Sequence, residues 1–298
     1  MDSDPEIVVA AGNPAHVEQL VRTAGDLARV RDGTIRLISV VVKSHDSPFE
    51  VFSDETIRRE FSGDQQALLE RATETAPADV PVESELVVAG SVAAGVLEAV
   101  ANPATEALVI GWHGPTSRSE VVLGTSVDTL LRRAPCDVYV ERIGRIAGEV
   151  DRILLPVAGG PHVRPAAAAA VAIAAANDAT VTAVSVLQAE TDRETATEWL
   201  TDAVEALAAA PGPEVAVETG VRESESVEDV LVEMATEYDI VAFGATRQSG
   251  LRTRLVGSVP RRVADRTDRT VILARDVNAT QGPLRSLIGR LSSRRGGT

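Results

Sequence analysis

A chain of 298 residues with 44% hydrophobic side chains is long enough for two ordinary domains, and with only 3% aromatics their cores must be built of Val, Leu, Ala and Ile. A formal net charge of -15 argues against general nucleic-acid binding, which needs basic patches to replace phosphate counterions. The acidic, arginine-based surface, in which Lys43 is the sole lysine, points to a salt-rich cytoplasm such as a halophile's, or to an ordinary acidic protein from a GC-rich genome.

In chain order, short continuous apolar runs alternate with helical patterns. The first half reads as strands near 6–11, 34–42, 82–88, 106–111 and 137–141, with helices near 14–31, 55–75, 92–102 and 125–134. Between its second strand and next helix, Ser44 to Glu55 carries Pro48 and several acids and reads as an extended loop. Cys136, the single cysteine, precedes the fifth strand and reads as a small buried residue; no intrachain disulfide can form. A boundary falls near Gly144 to Glu149. The second half reads as strands near 152–157, 180–187, 214–219, 239–244 and 270–275, with helices near 163–177, 191–209, 225–237 and 258–267. Its run from Ala166 to Ala176 is too short and alanine-rich to span a bilayer, and nothing at the N-terminus reads as a secretion signal, so a cytoplasmic protein is expected. From Leu284 the tail changes character. Leu284, Leu287, Ile288 and Leu291 have helical spacing, with Arg285, Arg290, Arg294 and Arg295 among and after them: a basic amphipathic helix that touches a membrane or partner, or an end that frays or docks on its own domain.

The halves repeat one another. Ile7–Ala10 aligns with Ile153–Pro156, His16 with His162 and Ser39-Val40 with Ser185-Val186, all at an offset of 146. Apolar runs without alternation imply strands covered on both faces, so each half is expected to be a five-stranded parallel α/β sandwich of Rossmann-like type. Domains are placed at 1–147 and 150–280, with the tail at 281–298.

A glycine pattern also appears twice. Gly111, Gly114, Gly124 and Thr125 follow the fourth strand of the first half; Gly244, Arg247, Gly257 and Ser258 stand at an offset of 133 in the second. A strand, a glycine loop and a helix N-terminus form a phosphate cradle, because the loop admits close backbone approach and the helix N–H groups face the anion. Thr125 and Ser126 are expected to cap the helix or donate to a phosphate. In the second copy Arg247 replaces the middle glycine, which fills the phosphate space or recognises an anion. Arg247, Arg252, Arg254, Arg261, Arg262 and Arg266 cluster there, either for an anionic ligand or to pair with acidic helices. Trp112 either stacks on a base or packs the loop, and His113 reads as a loop-fixing hydrogen bonder. No histidine or cysteine has metal-ligand spacing, no nucleophile–base pair can be assembled, and no metal site is expected.

Spacing, flanking elements and duplication together resemble the universal stress protein family, whose nucleotide binders carry G-x2-G-x9-G-[ST] after the fourth strand. The resemblance covers residues 5–142 and 151–276 and implies a tandem member, each sheet ordered 3-2-1-4-5. It implies that the fifth strands pair the two halves as an intramolecular pseudo-dimer, with a further homodimer left open. It implies an ATP or AMP site, with Mg2+ entering alongside the nucleotide, formed by Gly111, Gly114, Gly124, Thr125 and Ser126 at the phosphates and ribose, Val40 at adenine through its backbone, and Ala10, Ala11 and Gly12 closing the pocket. A second anion site would comprise Val186, Gly244, Arg247, Gly257 and Ser258. Where family nucleotide binders carry an aspartate after the first strand, this chain has Gly12 and Ala158. The run Leu155-Pro156-Val157-Ala158-Gly159-Gly160 resembles the stress domains at the cytoplasmic ends of amino acid permeases and cation antiporters, which implies a membrane transporter as partner. A nucleotide-binding stress regulator is thus expected, with a ligand-free interaction module and a slow ATPase as alternatives.

Overall fold

The structure, a computed structural model, describes residues 4–43, 49–60, 62–112, 124–144, 149–188, 193–245 and 257–280. In the first half β1 (Glu6–Ala10), α1 (Val17–Arg29), β2 (Thr34–Val42), α2 (Asp54–Glu60), α3 (Gly63–Glu74), β3 (Val82–Ala89), α4 (Val92–Ala99), β4 (Thr105–Gly111), α5 (Thr125–Arg133) and β5 (Asp137–Arg142) follow in order. The second half repeats the plan with β6 (Arg152–Pro156), α6 (Val163–Asn177), β7 (Thr180–Leu187), α7 (Arg193–Ala208), β8 (Ala216–Glu223), α8 (Val227–Ala235), β9 (Ile240–Gly244), α9 (Ser258–Arg266) and β10 (Thr270–Arg275), then a short turn of helix, α10 (Val277–Thr280).

Each half has the expected order 3-2-1-4-5, and within a half every strand pair is parallel. The central strands are apolar on both faces because helices cover both; Ile7, Val8 and Val9 are all fully buried. The two sheets join into one ten-stranded sheet through an antiparallel β5–β10 pair, with Val140 opposite Leu273. Each of these strands would otherwise be an open edge, so their pairing removes two rows of unpaired backbone groups at once.

The seam is fastened reciprocally. Arg142, on β5, donates to the Thr267 carbonyl at 2.9 Å, and Arg275, at the matching place on β10, donates to the Ala134 carbonyl at 2.8 Å. These carbonyls belong to the C-cap residues of α9 and α5. Each half therefore sends a cation to the negative end of the helix that precedes the other half's fifth strand. Below the sheet α1 packs on α6. The alanines of α6 let it lie close on the sheet, on α1 and on α7 together, and Ala166, Ala167, Ala169, Ala170 and Ala172 are fully buried.

Three expectations are corrected. The single helix at 55–75 is two, α2 and α3, on either side of Ser62, whose hydroxyl bonds back to the Arg58 carbonyl. The extra segment after β2 is not all loop, since α2 begins within it at Asp54, and Lys43 donates to Asp54 at 2.9 Å and to the Phe52 carbonyl at 2.8 Å. The strand expected at 214–219 runs from Ala216 to Glu223, because its pairing with β7 continues to Leu187↔Glu223. The tail from 281 and its basic residues lie outside the described residues.

Candidate functional site

In the first half the carboxyl ends of β1 and β4 lie side by side, with Ala10 opposite Ile110 on one side and Ile38 on the other. The strand order departs in opposite directions from β1, which is the switch point where doubly wound sheets open a crevice. The Ala11 N–H closes β1 onto the Ile38 carbonyl at 2.8 Å. Strand β2 runs further, to Val42 opposite Ala89, so Val40 stands as a wall beside the crevice. Its side chain is taken up by α4: a Cβ on Gly95 would meet a Val40 methyl at 2.9 Å. Ala11 is buried and Gly12 exposed, and no described atom lies within 4 Å of where a Gly12 Cβ would stand.

Gly111 closes β4, and after the undescribed stretch at 113–123 the chain returns at Gly124, the N-cap of α5. Gly124 has φ -54° and ψ 150°, a conformation open to any residue, and no described atom comes within 4 Å of its Cβ position. No side chain among the described residues caps this helix. The expected capping by Thr125 and Ser126 is therefore corrected: both lie inside the first turn, and the Thr125 carbonyl accepts from the Thr129 hydroxyl at 2.7 Å. Among the described residues no side chain satisfies the amide donors with which the helix starts at the carboxyl end of the sheet. Trp112 is packing, not a platform: it is 3% exposed among Ile110, Leu130 and Leu131. Gly114 and His113 lie outside the described residues.

The second half copies the scaffold. Val157 N–H bonds the Val184 carbonyl at 2.8 Å, in the place of Ala11, and Val186 overhangs as Val40 does. Gly257 caps α9 without a side-chain bond, and Ser258 is its first residue. The surroundings differ. A Cβ on Gly244 would stand 2.7 Å from the His162 carbonyl, so helix α6 closes directly on the end of β9. Gly159 and Gly160 have φ of 72° and 93°, the left-handed region, and Trp199 of α7 lies against Gly159 where any side chain would strike the indole. Arg164 holds Asp276 at 2.6 Å, and the Asp276 N–H donates to His162 Nδ1 at 3.0 Å. Arg247, Arg252 and Arg254 lie outside the described residues. Of the other arginines, Arg262 pairs with Glu228 at 3.0 Å and Arg266 with Asp229 at 2.5 Å, both on α8. For these two the pairing alternative holds.

Sequence reading missed Trp199, Arg164, Asp276 and Glu141. Trp199 had one signal, being one of two tryptophans. Glu141 had another, an acid inside an apolar strand. Cys136 is buried as expected, and burial pushes its thiol up to about 12, which makes it a poor nucleophile. Among the described residues no group of three or more His, Cys, Asp and Glu side chains is placed to hold a metal ion, and no helix is long and apolar enough to cross a membrane.

The profile of the universal stress protein family matches residues 5–142 and again residues 149–275. Among solved structures, 92% of the chain is similar to 97% of a universal stress protein from Archaeoglobus fulgidus DSM 4304, with a TM-score of 0.64 and 14% identity. A functionally unknown protein from Pseudomonas aeruginosa PAO1 is similar over 99% of both chains, with a TM-score of 0.60 and 16% identity. The cytoplasmic domain of a prokaryotic cation chloride cotransporter is similar over 95% of this chain and 99% of that one, with a TM-score of 0.57 and 12% identity. At these identities the likeness is one of fold. A comparison with curated protein sequences finds no match.

Proposed function

Because the chain belongs to the universal stress protein family twice over, we propose that it is a nucleotide-responsive regulator whose first half binds an adenine nucleotide, ATP or AMP. The observation that carries this reading is the start of α5 at Gly124, which among the described residues is neither capped by a side chain nor obstructed, at the carboxyl end of the sheet where β1 and β4 open the crevice. Gly111, Gly114, Gly124, Thr125 and Ser126 hold the phosphates, the Val40 backbone meets adenine, and Ala10, Ala11 and Gly12 close the pocket. Mg2+ enters with the phosphates. In the second half Val186, Gly244, Arg247, Gly257 and Ser258 form an altered anion site, narrowed by His162. The response is read by a membrane transporter. The likeness in fold to a cotransporter's cytoplasmic domain supports that partner class.

The test is thermal unfolding at high salt with ATP, AMP, a cyclic nucleotide and no ligand, for the parent and for Gly124→Val. At a hundredfold excess over Kd, binding stabilises by about 2.7 kcal/mol. Gly124→Val is expected to keep the parent's midpoint without ligand, because its dihedrals suit any residue, and to lose the ligand-induced shift. A shift retained by the variant would move the site away from α5.

A second reading has its own observation: Gly12 and Ala158 stand where family nucleotide binders carry an aspartate. If no nucleotide shifts the parent, the chain is an interaction module that keeps the fold without the ligand.

A further inference from the structure

The seam between the halves contains a carboxyl group that no described cation pairs with. Glu141, on β5, is fully buried, and the one donor that acts on it, the Thr23 hydroxyl, falls short of a well-formed hydrogen bond. Glu141 stands opposite Ile272 of β10 and Gly111 of β4, which offer it nothing polar from their side chains. Alternation along the strand turns it toward α1 and α6, on the same face as Tyr139. From α1, Thr23 and Asp26 act on it. Thr23 is 1% exposed and Asp26 5% exposed, and the Thr23 hydroxyl has no other side-chain or main-chain partner among the described residues. Both arginines of that helix address Asp26: Arg29 lies 3.2 Å from it but makes its two-pronged contact with Asp79, and Arg22 acts at longer range; Glu18, the other acid of α1, pairs with Arg71 instead. A cavity of about 10 Å³, the size of a single water, adjoins Thr23 and Asp26, with Gln19 and Arg22 also from α1, Asn177 from α6 and Asp239 from the turn before β9.

An ionised carboxylate in such a place, with no cation on it and only the Thr23 hydroxyl as a donor, costs several kcal/mol. A protonated one is a donor, and both the Thr23 hydroxyl and the Asp26 carboxyl are acceptors. We propose that Glu141, with Thr23 and Asp26 of α1, is a proton-binding site that holds the seam together when protonated and loosens it when the proton leaves.

Burial pushes the Glu141 carboxyl up to about 8, with the Thr23 hydroxyl opposing and Asp26 reinforcing. Burial likewise pushes Asp26 up to about 7, against the pull of Arg29 and Arg22. The two titrate as a pair. Both values lie above those of an unfolded chain, so the folded state holds extra protons. Stability from this site is complete below the unfolded values of 4.5 and 3.8, and is lost as pH rises through the folded values of about 7 and about 8. The same residue reaches the glycine loop. The Glu141 carbonyl accepts from the Trp112 N–H at 2.6 Å, immediately after Gly111, so a loosened β5 also releases the start of that loop.

The site does not depend on the nucleotide reading, and its test uses no ligand. Unfolding midpoints of the full chain are measured at constant salt between about pH 5 and about pH 9, for the parent, Glu141→Gln and Asp26→Asn. The parent's midpoint is expected to fall by several degrees toward alkaline pH. Glu141→Gln is expected to lose most of that fall and to be the more stable of the two at the alkaline end, and Asp26→Asn to lose part of it. A flat parent profile, or a fall that Glu141→Gln retains in full, overturns the proposal. Should Glu141→Gln fail to fold, the infrared spectrum of the parent decides. A protonated-carboxyl band present at neutral pH, lost reversibly as pH rises past about 8 while the protein stays folded, is expected. Its absence at neutral pH overturns the proposal.

Discussion

At the scale of single residues, buried polar groups define the centre of this molecule. Arg275 is fully buried, and burial lowers its pKa from the usual arginine value, yet it remains the cation that satisfies the Ala134 carbonyl. Arg142 does the same for Thr267 from a more exposed position and also reaches the Arg269 carbonyl at 3.3 Å. Truncating Arg275 leaves a buried carbonyl short of its donor and a cavity behind it. Arg275→Ala is therefore expected to lose about 3 kcal/mol in denaturant unfolding, and Arg142→Ala, with water at hand to replace it, clearly less. Equal losses would mean that burial does not set the strength of this clasp. The same contrast separates the two glycine sites. Gly124 has open space at its Cβ position among the described residues, whereas Gly244 has the His162 main chain. One glycine is needed for packing within the fold; the other has no described neighbour that requires it, which is why ligand binding is sought there.

At the scale of elements, local sequence rules set most boundaries. Ser91 and Ser226 each stand in extended backbone before a helix and accept from the amide three residues on, Ala94 at 3.1 Å and Asp229 at 3.2 Å. Replacing either by alanine removes the acceptor for an otherwise orphaned amide, and Ser91→Ala and Ser226→Ala are each expected to cost about 1 kcal/mol by chemical denaturation. A negligible cost at both positions would show that packing alone starts these helices. Helices α5 and α9 lack such a cap and begin at glycine. The break between α2 and α3 had a signal that helical periodicity alone passes over, the pair Ser62-Gly63 inside residues 55–75; the Ser62 hydroxyl competes for a backbone carbonyl there and the second helix starts at Gly63.

At the scale of the whole molecule, the halves share their interior. The hydrophobic cluster on the α1 and α6 face contains Ile7, Val9 and Leu37 of the first half together with Ile153, Val181 and Ile272 of the second. Neither half keeps this core intact without the other, so unfolding is expected to be a single transition. The two tryptophans test this, since Trp112 reports on the first half and Trp199 on the second. In Trp199→Phe and Trp112→Phe the remaining emission is expected to change at the same denaturant concentration after allowance for each variant's stability, judged against circular dichroism of the same sample. A fluorescence transition that departs from the circular dichroism in either variant would mean that the halves unfold separately.

The sequence by itself determined the fold class, the duplication, the strand order through its family resemblance, and nearly all element positions. These follow from local patterns: continuous apolar runs, helical periodicity, and glycine and serine at helix starts. It also marked the glycine positions of the candidate site, because close approach leaves a residue signature. Although the sequence showed Arg247 in place of a glycine in the second copy, tertiary structure alone showed that Trp199 and His162 meet glycines there from elements distant in sequence. It alone showed that Arg262 and Arg266 face acids on α8. It alone made Glu141 unusual, because an acid in a strand is ordinary until strands and helices from both halves close around it and remove the water that would have kept it charged.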